Sequence, residues 1–114
     1  MTLTAEQIEQ QMSNAAAGAF REGWDAVKVY APAEFKKMAV QLASIADNVA
    51  LYQLDPEQGY SAETGKILFR MQRTACESVL TAVSQLTLIA VQNALNGLMT
   101  VLSQVFGAAL SMIL

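Results

Sequence analysis

The chain contains no histidine, a single cysteine (Cys76) and only two prolines. Without histidine, the commonest metal ligand and general base are missing, and one thiol builds no disulfide framework. Zinc centres, His-assisted nucleophiles and stapled scaffolds are therefore excluded. Basic residues are also scarce: seven Lys and Arg against ten Asp and Glu leave a net charge of −3, the wrong sign for a nucleic-acid footprint. Lys36-Lys37 reads as solvated charge. Glycine-rich phosphate loops and nucleophile elbows are absent as well. Glu6/Glu9 and Glu22/Asp25 have helical i,i+3 spacing, but the Glu-x-x-His pattern of di-iron bundles is missing, so they read as a solvated helix face. The sequence names no catalytic, cofactor-binding or metal-ligating residues, and an enzyme is not expected. Cys76, with no histidine to activate it, reads as a small core residue.

The most uneven shortage is charge. All seventeen charged side chains lie between Glu6 and Glu77, and the thirty-seven residues from Ser78 to Leu114 carry none. What the chain does have is apolar surface. Hydrophobic residues make up 54% and mean hydropathy is +0.31, in a length of 114 residues that suits one domain. Abundant alanine and few β-branched runs favour helix throughout, so the fold class read from the sequence is all-α.

Three helices follow from the punctuation. Thr4 and Gln7 make a capping box, which starts helix A at about residue 4. Ile8, Met12, Ala16, Ala19, Phe20, Val27 and Tyr30 keep helical spacing to about residue 30. Pro32 ends helix A and opens helix B, about 32–54, because the residue before proline avoids the α region and proline suits a first helical turn. Phe35, Met38, Leu42, Ile45, Val49 and Tyr52 then run at 3-4-3-4-3, a seam that one partner helix would cover. Phe20, Trp24, Tyr30 and Phe35 read as core or subunit contact. Residues 55–61 have turn chemistry, and helix C is expected over about 62–114 as one continuous element.

Length arithmetic turns this into an expectation about association. At about 1.5 Å per residue, helix C would reach roughly 80 Å, against roughly 40 Å for helix A and 34 Å for helix B. A helical hairpin or three-helix arrangement cannot cover so long an apolar helix, so the sequence predicts an oligomer assembled through helix C. Residues 1–84, holding all the charge and the seam of helix B, are expected to stand as a soluble unit without it. At 100° per residue, Thr74, Ser78, Thr81, Gln85, Gln92, Asn96 and Ser103 of a continuous helix fall within about 60°. That narrow stripe would either bond across an oligomer interface or line a wet lumen. Ser103, Gly107 and Ser111 add a series of small residues, as do Ala15, Ala19 and Gly23 in helix A, and both permit close backbone approach.

Membrane insertion is the competing expectation. The uncharged tail exceeds the roughly 20 residues of one crossing, and Lys66, Arg70 and Arg73 precede it in positive-inside order. Twelve Ser, Thr, Gln and Asn side chains in the tail and the lack of a Trp or Tyr belt weigh against it. The opening Met1-Thr2-Leu3-Thr4-Ala5-Glu6 has no basic n-region, so synthesis in the cytoplasm without a signal peptide is expected.

The run Leu88-Ile89-Ala90-Val91-Gln92-Asn93-Ala94-Leu95-Asn96, followed by Val101 to Phe106 and Gly107-Ala108-Ala109, resembles the ending of small uncharacterised helical proteins encoded by bacteria and prophages. The resemblance covers about the last fifty residues. It implies a virion or prophage context, with other virion or assembly proteins as partners, and brings no catalytic residues.

Overall fold

A computed structural model describes residues 3–114, and every regular element among them is helical: α1 (Ala5–Phe20), α2 (Trp24–Val27), α3 (Ala31–Leu54), α4 (Ala62–Ser84), α5 (Leu88–Phe106) and α6 (Ala108–Ser111). The local signals explain most boundaries. Gln7 N–H donates to Thr4 Oγ1 at 3.2 Å while Gln7 Oε1 accepts from Thr4 N–H at 3.0 Å, so both halves of the capping box form. Pro32 lies in the first turn of α3. Asp55 Oδ1 accepts from Glu57 N–H at 3.0 Å, and Gly59 takes φ +62° where the turn folds back on the Asn48 carbonyl. Ser61 then caps α4 through Thr64 N–H.

Four long helices close into a bundle measuring 45 × 23 × 19 Å. Helix α1 packs against both α3 and α5, and α3 packs against α4. The seam of α3 is therefore covered by two helices, α1 and α4, where one was expected. Phe35, Met38, Leu42, Ile45 and Val49 are buried and Tyr52 is left at the surface. Gly65 lets α4 approach α3 closely, since a Cβ there would stand 2.8 Å from Ile45 Cγ2.

Two helices predicted to be continuous are broken. Helix A ends at Phe20, and Arg21, at φ 53° and ψ −123°, leads through a 3-10 turn (Arg21–Gly23) into α2. The bend lets Val27 reach the core and brings Phe20 and Trp24 rings to 6.1 Å. Helix C is three elements. Gln85 adopts a left-handed conformation, φ 62° and ψ 10°, Thr87 caps α5 through Ala90 N–H at 3.1 Å, and Gly107 breaks again before α6. A straight helix C would leave Val91, Ala94, Leu95, Leu98, Met99 and Leu102 in water; folded back, all six are buried. Burying a large aliphatic side chain is worth about 1.5–3 kcal/mol, whereas a non-glycine left-handed residue costs about 1–2 kcal/mol. Burial wins, and the chain covers its own apolar helix. The need for an oligomer that followed from the length of a straight helix C does not apply to the broken one, and Leu88, Ile89 and Val105 of α5 stay exposed.

The series Ala15, Ala19 and Gly23 is split by Arg21 (φ 53°), and its members Ala19 and Gly23 meet other parts of the same chain. Gly97 of α5 lies opposite Ala19, and Leu86 lies against Gly23. The series Ser103, Gly107 and Ser111 does not form one face, because Gly107 (φ 58°) separates α5 from α6.

Candidate functional site

The fold gathers its polar interior where α4 meets α5. Arg73 and Glu77 are one turn apart on α4, and Arg73 Nε donates to Glu77 Oε1 at 3.0 Å. The guanidinium reaches across to α5, where Nη2 donates to the Gln92 carbonyl at 3.2 Å and to Asn96 Oδ1 at 2.6 Å. Gln92 Nε2 returns a longer bond, 3.4 Å, to Glu77 Oε2. The Arg73 and Glu77 side chains are only 20% and 10% exposed, so each charge depends on the other. This arrangement matches the requirement that buried ionic groups be paired and hydrogen-bonded.

The residues assigned to one stripe by helical projection separate accordingly. Gln92 and Asn96 join Arg73. Ser103 lines a cleft of about 510 Å³ with Arg73, Asn96 and Met99. A neighbouring cleft of about 380 Å³ is flanked by Lys66, Arg70 and Arg73 and shares Arg73 and Leu114 with the first. Thr81 is half-buried on α4, and its hydroxyl has no hydrogen-bond partner among the described residues. Gln85 is exposed in the turn, and Gly107 and Ser111 lie at the α5–α6 joint and on α6. Bonding across a helix interface was one of the two expected roles of the stripe, and for Gln92 and Asn96 the interface is intramolecular.

The spacing rule missed Arg73 and Glu77. Both were legible as an i,i+4 pair of opposite charge, but their partners on α5 lie fifteen and more residues away in sequence. Glu34 is a second buried acid, bonded to Lys37 Nζ at 3.0 Å on the same helix. Cys76 is fully buried, as expected of a core residue. Among the described residues, no cluster of three or more His, Cys, Asp or Glu side chains could hold a metal ion.

Burial pushes the Cys76 thiol up from its ordinary value of 9.0 to about 12, with the nearby Glu34 and Glu77 carboxylates adding to the effect and Arg73 and Lys37 opposing it. The unfolded chain ionises this thiol above about pH 9 while the native chain does not. Its contribution to stability is thus full below pH 9 and is lost as pH rises towards 12. The parent protein should lose stability more steeply than Cys76→Ala above pH 9, by up to about 1.4 kcal/mol per pH unit. Tyr60, raised by desolvation against an opposing Asn48 hydrogen bond, acts in the same direction in both proteins and cancels. Urea midpoints at pH 8 and pH 10 check this; equal slopes for the two proteins would refute it.

No protein-family model, curated protein or solved structure matches this chain.

Proposed function

We propose that the chain is a non-enzymatic structural protein that self-associates, and that the outer face of α4 is the contact. Leu68, Met71, Ala75, Val79, Ala82 and Val83 recur at helical spacing along that face, all exposed, with Met71 66% accessible. No charge interrupts them, since Arg73 and Glu77 turn to the other side. This unbroken neutral stripe is the observation that carries the reading. Two copies can pair about a two-fold axis along it without setting charges of α4 against each other. Val40 of α3 borders the same surface, beside a depression of about 450 Å³ lined by Gln72 and by Lys36 and Lys37, which mark the charged margin of the stripe. The sequence reading placed the contact on the uncharged C-terminal helix, but the apolar inner face of α5 is occupied by α1. The resemblance of the last fifty residues to prophage-encoded helical proteins supports a virion as the setting for such an assembly.

A strip roughly 24 Å long and 10–12 Å wide buries on the order of 500 Å² over two partners, well below the standard interface. Association through it is accordingly weak and concentration-dependent. Light scattering across a concentration series should show mass rising for the parent and remaining monomeric for Met71→Glu/Val79→Glu, with unchanged circular dichroism. A parent that stays monomeric, or a variant that associates as well as the parent when neither has been unfolded, overturns the reading.

One observation favours a second reading, a membrane-active pore component. Helix α5 is uncharged, nineteen residues long and has a mean hydropathy of 1.2 over its most apolar window, with 33% of that window buried. In this reading α5 leaves α1 and its Gln92, Asn96 and Ser103 side chains line water. Dye release from lipid vesicles by detergent-free protein supports the pore; vesicles left intact oppose it.

A further inference from the structure

The turn between α4 and α5 is built from residues that do not demand a turn. Gln85-Leu86-Thr87 contains neither glycine nor proline, and Gln85 holds a left-handed conformation that L-residues other than Asn and Asp seldom adopt. Three contacts keep it closed: Ser84 Oγ accepts from Leu86 N–H at 3.1 Å, Leu86 lies against Gly23, and Thr87 caps α5. One turn earlier, the Thr81 hydroxyl is buried without a partner. The two helices joined by this turn are also the loosely closed side of the bundle. Helix α5 lies chiefly on α1, and open clefts of about 380 and 510 Å³ flank the Arg73 cluster between α4 and α5.

We infer that two copies exchange α5. The turn Gln85–Thr87 straightens into helix, and residues 62–106 run on as one helix of roughly 68 Å. Each copy's α5 and α6 then dock on the α1 of the other. The contacts buried in the single chain are reproduced between copies, so exchange removes the left-handed Gln85 without losing the core. This rests on the self-association proposed above and adds to its shallow α4 contact a deep interface reached on refolding.

The test uses the full chain carrying nitroxide labels at Glu63→Cys and Gln104→Cys, both exposed positions, with the buried Cys76 left in place. Because Arg73 meets Asn96 and Glu77 meets Gln92, α4 and α5 are antiparallel and the labels share one end of the hairpin. On a continuous helix they stand roughly 60 Å apart. Protein is refolded from urea at high concentration, with labelled chains diluted in unlabelled ones so that intrachain distances are read, and monomer and dimer are separated by size. The dimer should show the long distance and the monomer the short one. The long-distance dimer should also survive Met71→Glu/Val79→Glu. Gln85→Gly should lower dimer yield at least tenfold relative to Gln85→Ala, since glycine relieves the left-handed turn and disfavours the continuous helix. A dimer with only the short distance, or equal yields for Gly and Ala, overturns exchange while leaving pairing through α4 intact. Absence of any dimer overturns both.

Discussion

Deleting residues 85–114 is expected to abolish cooperative folding. Of the twenty-three buried hydrophobic residues among those described, that segment supplies eight: Val91, Ala94, Leu95, Leu98, Met99, Leu102, Leu110 and Ile113. Seven of them are large, and at about 1.5–3 kcal/mol each their loss removes more than about 10 kcal/mol of burial. A domain of this size is stable by about 5–15 kcal/mol in total. The deletion also strips the cover from the core side of α1, where Ile8, Met12 and Ala16 are fully buried in the intact chain. Residues 1–84 should therefore be aggregated or unfolded and show no cooperative urea transition by circular dichroism. This reverses the expectation from charge distribution alone that the charged part stands as a soluble unit. A monomeric, helical fragment with a sharp transition would refute the four-helix core.

Arg73→Met is the point substitution with the largest expected effect. It leaves Glu77, whose side chain is 10% exposed, without its cation, and it frees the Gln92 carbonyl and Asn96 Oδ1 together. Breaking a buried ion pair from one side costs about 3–5 kcal/mol. For a chain of this length the melting temperature should fall by roughly 10–20 °C. The double variant Arg73→Met/Glu77→Leu should recover most of the loss, because an apolar pair of similar volume carries no desolvation penalty. Thermal unfolding of the single and double variants decides it. A single variant within about 1 kcal/mol of the parent would mean that Glu77 is served by water rather than by Arg73.

The helix ends were legible wherever a side chain bonds its own backbone nearby. Thr4 with Gln7, Pro32, Asp55 and Ser61 each act within four residues, so their effect does not depend on what the rest of the chain does. The turn at residues 85–87 had one such signal, the Thr87 cap, but no glycine or proline to support it, and helical periodicity ran through it unbroken. The candidate site was half legible. Gln92 and Asn96 were singled out as residues that either bond across an oligomer interface or line a wet lumen, whereas Arg73, which organises them, was read as a membrane-flanking charge because its partners are remote in sequence.

Composition and short-range pattern thus determined by themselves that this protein is all-α, where its first two long helices begin, and that its last thirty-seven residues must be covered. Only the tertiary structure decided what covers them. The cost of turning at Gln85 is local and small, whereas the gain from laying α5 on α1 is the sum of many contacts between residues that are distant along the chain. A sum of that kind cannot be read from any one window of sequence, and it determined that the apolar tail closes a bundle, that Arg73 pairs inside it, and that an apolar stripe of α4 is left exposed.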